Sequence, residues 1–441
     1  MQEPILAVGI VSAIEIPFEL KGNFRLQGSN RILSGDLSVF LSDNGIVFEQ
    51  NYYQQLVFEP LTSEAFFTLK EVVIGINFHW ERKEEQSFRG ALKLIVEVDK
   101  LTAINLVPVE EYLKSVISSE MSATASLELL KAHAVISRSW LLSQLAKKNE
   151  LSSQSVKYIS DSHTDSEWIK WWDREDHTLY DVCADDHCQR YQGITRATTP
   201  QVKKAVEETT GELLMYNGSI CDARFSKCCG GILEQFENCW EPTAHPYLQK
   251  VFDRVTNTIS EKPDCKNEDE AQNWIRKSPS AFCNTTDKNI LAQVLNNYDQ
   301  ETTNFFRWKV DYTQQELSAL IHKRIGIDFG DIIDLQPIER GVSGRIIRLR
   351  IVGTKQTKVI GKELLIRKSL SDSHLYSSAF VVDKELDNNG VPFKFSLIGA
   401  GWGHGVGLCQ IGAAVMGAKG YSYRDILLHY YKSVEIIKRY N

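Results

Sequence analysis

The chain has 441 residues, with 50 basic and 57 acidic side chains, a formal net charge of −7, and 43% hydrophobic against 24% charged content. That balance belongs to a folded protein long enough for two or three domains and excludes a disordered chain. No run of Lys and Arg follows a phosphate backbone, and no stretch reaches the roughly 20 apolar residues of a membrane span, so neither a nucleic-acid partner nor a bilayer-crossing segment is expected.

Short apolar runs at Ile5–Val11, Leu37–Leu41, Leu56–Phe58, Val72–Phe78 and Ala91–Val98, separated by polar turns, predict a β-rich region over residues 1–106. Pro4–Ala13 is apolar, but Met1, Gln2 and Glu3 bring no positive charge and the first Lys is Lys21, so a signal is either absent or already removed. Pro108, followed by Glu110 and Glu111 at the positive end of a helix dipole, predicts a helix with Leu113, Val116 and Ile117 facing inward. A second helix is predicted from Leu127 to about Leu145, with Leu127, Leu130, Ala134 and Leu141 as its inner stripe. Both belong to a core over residues 107–255, which includes a long polar loop at 150–200 and short strands from Lys204 to Val251. Pro263, Asp264, Asn267 and Glu268 mark a polar insertion over 256–304. Residues 305–441 read as strands with one amphipathic helix around Glu316–Arg324, then a glycine-alternating stretch, then helices at about Cys409–Lys419 and Tyr423–Lys432 with Gly420 as the cap between them. The expected fold class is α+β: a β-rich N-terminal unit, a helical catalytic segment, further short strands and C-terminal helices.

Glu120 lies seven, four and three residues beyond Leu113, Val116 and Ile117, so a continuing helix places its carboxylate on the apolar face. Burial raises a carboxyl pKa, which suits a group that holds a proton near neutral pH and donates it to a leaving oxygen. The plainer reading ends the helix at Ser118 or Ser119 and makes Glu120 a cap for the next one. Lys131 and Arg138 stand two turns apart beside the stripe of the second helix, a separation that fits two donors along one cleft. A solvated edge is their alternative, above all for Lys131.

Residues 399–407 carry glycine at every second position. If that stretch is extended, Trp402, His404 and Val406 share one face and the other carries no side chain, so a ligand or a strand approaches closely. The functional reading is one wall of a sugar cleft, with Trp402 stacking on a ring and His404 or Gln410 offering hydrogen bonds. A tightly packed glycine turn is the alternative. A phosphate loop is discounted because Leu408, Cys409 and Gln410 follow instead of Gly-Lys-Ser/Thr.

Nine cysteines, an odd number without the spacing of a disulfide scaffold, point to thiols or metal ligands. His177, Cys183, His187 and Cys188 form an H-x5-C-x3-H-C cluster able to satisfy a structural, tetrahedral Zn²⁺ and to order the polar loop; the alternative is two unrelated thiols with surface histidines. Cys228 and Cys229, ahead of Gly230 and Gly231, read as buried structural thiols.

Together these segments resemble the stage II sporulation protein D and amidase-enhancer family. The motifs are Arg89-Gly90, the run Asn105–Leu113, Ser119-Glu120-Met121, Leu130–Ala134 through Arg138, Asp181–Gly193, Ala205-Val206 with Thr210-Gly211, and Gly230-Gly231 with Trp240 and Pro246–Leu248. The run Trp402–Gly407 with Gln410, Gly412 and Tyr430-Tyr431 completes the series. The resemblance spans roughly residues 85–255 and 305–435, while His133, Ser139 and Cys409 stand where Gln, Thr and Ser are expected.

The resemblance implies a lytic transglycosylase acting on peptidoglycan glycan strands, with Glu120 as general acid and base and anhydro-muramic acid ends as product. It implies no cofactor for catalysis, a structural zinc in some members, and a location in the cell envelope, periplasmic or extracytoplasmic. Two rival functions stand beside it: a non-catalytic wall-binding activator of a partner cell-wall amidase, and a zinc hydrolase with an open coordination position.

Overall fold

The computed structural model describes residues 2–74, 82–122, 124–151, 159–171, 177–185, 188–195, 198–255, 262–294 and 302–441. The ten strands described from Ile5–Ala13 to Lys100–Pro108, with the short strand Val182–Cys183 pairing in parallel with Ile5–Ala13, form an eleven-stranded sheet. In Glu15–Leu26 the even-numbered Ile16, Phe18, Leu20, Phe24 and Leu26 are buried, the period of a strand with one face in a core. Phe58 packs 5.3 Å from Phe18 and 5.6 Å from Phe48 between ring centroids, so Phe58→Ala removes about 3–5 kcal/mol. The predicted Val72–Phe78 strand is Phe66–Ile74, its last predicted residues lying outside those described.

The last strand of this sheet, Lys100–Pro108, runs straight into α1 (Val109–Glu120). Pro108 occupies the cap, with φ −59° and ψ 147°, and Glu110 and Glu111 fill the first turn. Helix α2 (Leu127–Leu151) is buried around its whole circumference from Leu129 to Gln144 apart from Lys131, because α1, the C-terminal helices Gln410–Ala418 and Tyr423–Tyr430, the strand Glu212–Tyr216 and α3 (Pro200–Glu208) surround it. Thr199 caps α3 through Val202 N, ahead of Pro200. A helix buried on all sides must pair its own polar groups: Ser139 Oγ donates to Val135 O at 2.7 Å and accepts from Leu214 N at 2.8 Å. One hydrophobic core joins the N-terminal sheet to these helices.

The polar loop does more than connect. Asp161–His163 and Glu167–Lys170 edge a five-stranded sheet with Thr357–Gly361, Ile346–Gly353 and Ile332–Arg340, while Val182–Cys183 closes on the N-terminal sheet. The insertion also folds inward: α4 (Glu268–Arg276), capped by Asn267, buries Ala271, Trp274 and Ile275, and α5 (Lys288–Leu291) follows. The strand Arg307–Thr313 leads into α6 (Gln314–Ile325), held by a Thr313–Glu316 capping box and ended by Gly326 at φ +70°. α7 (Glu363–Ser369), which no sequence signal marked, completes a second core around Leu317, Ile321, Leu349 and Ile366. The tail returns to the main core: Phe225–Ser226 pairs with Leu408–Cys409, then α8 (Gln410–Ala418), Gly420 and α9 (Tyr423–Tyr430) follow, and Glu435–Lys438 pairs with Glu212–Tyr216.

Candidate active site

Glu120 is the last residue of α1, on the face of the buried Leu113, Val116 and Ile117, and is itself half-buried. The helix therefore continues to Glu120, and α2 starts only at Leu127. Met121 N still closes on Ile117 O at 2.9 Å, after which the backbone turns extended and Ser122 N donates to Gln293 O at 3.0 Å. A series of hydrogen bonds continues from there. Lys227 Nζ donates to Val294 O at 2.6 Å, and the next residue, Cys228, exchanges backbone hydrogen bonds of 3.0 and 2.7 Å with Trp402. The strand ends carrying Lys227 and Trp402 are thus tied to the segment that follows the candidate acid.

Trp402 is half-buried against Tyr376, at 4.2 Å between centroids, and Phe305, at 4.7 Å. The segment around it is not extended. Gly401, Gly403, Gly405 and Gly407 adopt φ of +77°, +90°, +76° and +74°, so left-handed residues alternate with Trp402, His404 and Val406 and the chain coils. The close approach that the glycines permit is made by the protein itself: a Cβ at Gly405 would stand 2.4 Å from the Arg345 guanidinium, and one at Gly407 1.8 Å from Arg224 O. In place of an open glycine face for a ligand, Arg345 donates to Gly403 O at 3.1 and 2.9 Å and fixes the turn.

His404 is partly buried, edge-on to Trp240 at 5.1 Å, and its Nδ1 accepts from Val406 N at 3.0 Å. Burial, with Arg224, Arg345 and Arg367 nearby, holds its imidazole well below the usual value, so it stays neutral. Gln410 is buried at the start of α8, with its Nε2 3.2 Å from His133 Nε2. Arg138 is fully buried and grips Glu110 through two bonds of 2.9 and 2.6 Å, so an internal ion pair stands where a donor reaching into a cleft was expected. Lys131 pairs with Glu208 at 2.7 Å and Glu128 at 3.2 Å on the rim beside Tyr423.

In the polar loop His177, Cys183 and Cys188 bring their ligand atoms within 4.8 Å of one another, with His177 Nε2 3.6 Å from Cys188 Sγ. His187, the fourth predicted ligand, lies outside the described residues. One nitrogen and two sulfurs at this spacing fit a thiophilic ion. The loop is pinned to α1: Tyr191 stacks on Tyr112 at 4.9 Å, and Gln192 N donates to Ser115 Oγ at 3.1 Å. Burial pushes the Tyr112 hydroxyl up, and Cys188, Cys183, Tyr191 and Glu120 add to it.

Residues 97–216 match the family described as Stage II sporulation protein, and residues 234–407 match a domain of unknown function, DUF8618. Stage II sporulation protein D of Bacillus subtilis is 22% identical over 340 residues, 76% of this chain and 76% of that protein. The amidase enhancer of Bacillus subtilis is 26% identical over 336 residues, 72% of this chain and 39% of the enhancer. An uncharacterized protein of Brachyspira hyodysenteriae is 26% identical over 387 residues, 88% of this chain and 77% of that protein. Over most of its length the chain is thus similar to stage II sporulation protein D and the amidase enhancer, and residues 97–216 carry the Stage II sporulation protein domain.

The sporulation-protein match holds Glu120, Lys131, Arg138 and the His177–Cys188 loop, whereas Trp402 and His404 fall in the second match and Gln410 in neither. Sequence reasoning missed the buried carboxylates that hold neighbouring segments together. Glu234 is fully buried and accepts from Gln235 N, Asn238 Nδ2, Val342 N, Ser343 N and Ser343 Oγ, joining the two halves of the second match. Asp222 is buried between Arg224 at 2.7 Å and Lys147 at 3.1 Å; although burial pushes its carboxyl up, these two cations hold it well below the usual range. Arg224 in turn lies 4.2 Å from the Trp240 ring centre. Gln235, Asn238 and Arg224 are close in sequence, but Val342, Ser343 and Lys147 come from elsewhere in the chain, and no local pattern announces them.

Proposed function

We propose that the chain cleaves peptidoglycan glycan strands as a lytic transglycosylase, with Glu120 as its one acid and base. Similarity to stage II sporulation protein D and the amidase enhancer supports the broader part of this reading, a cell-wall role in the envelope. No helix among the described residues is long and apolar enough to cross a membrane. The observation that carries the finer part is the placement of Glu120, half-buried on the apolar face at the end of α1, where the following segment is linked by hydrogen bonds through Gln293, Val294 and Lys227 to the Cys228–Trp402 pair.

A carboxyl group in such a setting protonates the glycosidic oxygen as the bond to the sugar carbon breaks, while the substrate stabilises its own ring carbon. The Glu120 carboxylate then takes the proton from the muramic acid 6-hydroxyl as that oxygen closes on the same carbon. The proton returns to Glu120, no water is consumed, and an anhydro end forms. The half-buried Trp402–Tyr376 pair offers an aromatic surface for a sugar ring. His177, Cys183 and Cys188, with His187, would hold a Zn²⁺ whose contribution is to order the loop against α1.

With purified glycan strands and mass spectrometry of the products, Glu120→Gln should lower the release of anhydro-muropeptides by about 10²-fold or more while the far-UV circular dichroism stays unchanged. Anhydro ends produced at the wild-type rate by this variant would remove Glu120 from the role. A second reading, a wall-binding activator of a partner amidase, draws on the internal engagement of His404, Gln410 and Arg138. It expects co-sedimentation with glycan strands whose length distribution does not change.

A further inference from the structure

Three thiols and a carboxyl group meet far from the polar loop in sequence. The ligand atoms of Cys229, Asp253, Cys283 and Cys409 all lie within 4.8 Å of one another. Their exposures are 2%, 0%, 1% and 0%. Each comes from a different segment: Cys229 follows the strand Phe225–Ser226, Asp253 follows the bridge that pairs Phe252 with Ile232, Cys283 belongs to the insertion, and Cys409 caps α8.

The spacing discriminates among the uses of such a group. Cys229 Sγ and Cys283 Sγ are 3.6 Å apart, well beyond the roughly 2.05 Å of a disulfide. A tetrahedral ion with metal–sulfur bonds of about 2.3 Å places its sulfurs about 3.8 Å apart, which is close to what is seen. An iron–sulfur cluster would drive the ligands further apart with its own sulfides. A nucleophilic role fails because a thiol at 0–2% exposure meets no substrate.

The surroundings are those of a ligand set with its outer partners in place. Cys229 N donates to Cys409 Sγ at 3.3 Å, Cys283 N donates to Asp253 Oδ2 at 2.8 Å, and Tyr430 OH donates to Asp253 Oδ1 at 2.7 Å. Such donors orient metal-binding thiolates and carboxylates. His429, with its side chain 10% exposed, turns Nε2 to within 3.9 Å of Asp253 Oδ1 and makes no hydrogen bond through that atom. The nearby Arg307 does not serve as counter-charge, since its guanidinium donates to the carbonyls of Gly230, Trp274, Lys277 and Phe306.

We infer that Cys229, Asp253, Cys283 and Cys409 form a closed structural site for one thiophilic divalent cation, Zn²⁺, which staples the insertion to the core between Phe225–Ser226 and α8. Four protein ligands leave no open position, so the ion has no catalytic part. Three thiolates select zinc over the harder Mg²⁺ and Ca²⁺. Binding releases the thiol protons to solvent and joins four segments whose meeting costs chain entropy, so metal affinity becomes folding stability.

The test uses the full-length chain with Cys183→Ser and Cys188→Ser, which disables the loop ligands, purified under reducing conditions with Zn²⁺ supplied. Metal analysis should find one zinc per chain, and X-ray absorption at the zinc edge should show three sulfur neighbours and one oxygen. Adding Cys283→Ser should abolish that zinc, and because this triple variant can fail to fold, the absorption spectrum of the parent stands as the independent measurement. A folded parent without zinc overturns the inference. So does a zinc surrounded mainly by nitrogen and oxygen, or a Cys229–Cys283 disulfide in the intact mass.

Discussion

At the rim of α2, Lys131 keeps its charge between Glu128 and Glu208 with 14% of its side chain exposed. Two turns further on, the same helix carries Arg138 fully inside the protein. There Glu110 receives both arms of the guanidinium and also accepts from Gly211 N at 3.3 Å and Tyr440 OH at 2.8 Å. The rim pair is screened by water and can be remade in several rotamers. The interior pair is a fixed joint of α1, α2, the turn after α3 and the C-terminal tail, and its value lies in every member having a partner.

The largest effect expected from this contrast is at Arg138. Arg138→Ala leaves Glu110 buried without its cation and should lower stability by about 3–5 kcal/mol, read as a fall in the urea midpoint. Replacing both partners with apolar residues, Arg138→Met with Glu110→Leu, should recover much of that loss, since no unpaired charge is then left inside. A cost under about 1 kcal/mol for Arg138→Ala would make the interior pair no different from a surface one.

His133, five residues from Arg138 and also fully buried, should show the next effect. Its Nε2 faces Gln410 Nε2 at 3.2 Å and its Nδ1 faces Ser137 Oγ at 3.2 Å, which fits a neutral ring accepting from the amide and donating to the hydroxyl. Burial, then the charge of Lys227, lowers its pKa to about 3. Between that value and the usual 6.5 the unfolded chain binds a proton that the folded chain refuses. The stability is therefore complete above pH 6.5 and is lost as pH falls, by about 2 kcal/mol at pH 5. His133→Gln keeps an acceptor and a donor but cannot titrate, so its urea midpoint should change less between pH 7.5 and pH 5 than that of the unmodified chain. Equal falls would assign the acid sensitivity to other groups.

The sequence speaks clearly wherever the deciding contacts are local. The α+β class, the two helices flanking Glu120, the Thr313–Glu316 helix and the Gly420 cap all rest on neighbours within a few residues. The His177–Cys188 cluster was legible for the same reason, since three of its four members meet from within one loop. Helix α4 was readable and missed: Asn267 followed by Glu268, Asp269 and Glu270 is a cap with an acidic first turn, and the polar composition concealed it. The Cys229–Asp253–Cys283–Cys409 group could not be read, because its ligands come from four segments that only the fold brings together. The glycine-alternating tail failed differently. Alternation has two solutions, an extended strand with a bare face or a coil of alternating left-handed turns, and Arg345 and the carbonyl of Arg224, supplied from elsewhere, select the second.

Lys131 marks the small end of the comparison. Burial presses its pKa down, but Glu208 and Glu128 raise it further, so the ammonium stays charged at neutral pH. Its partners are themselves partly in water, with Glu208 at 42% side-chain exposure, and such a pair contributes at most about 1 kcal/mol. Lys131→Met keeps the stem over Tyr423 and removes the charge, so the urea midpoint should barely move. That near-silence in stability makes the variant a clean probe of function. If the ammonium swings from Glu208 to a glycan strand, co-sedimentation with purified strands should weaken and recover at no salt concentration. If binding is unchanged, the rim lysine belongs to the fold alone, and the sugar-facing contacts must come from the Trp402–Tyr376 surface and the end of α1.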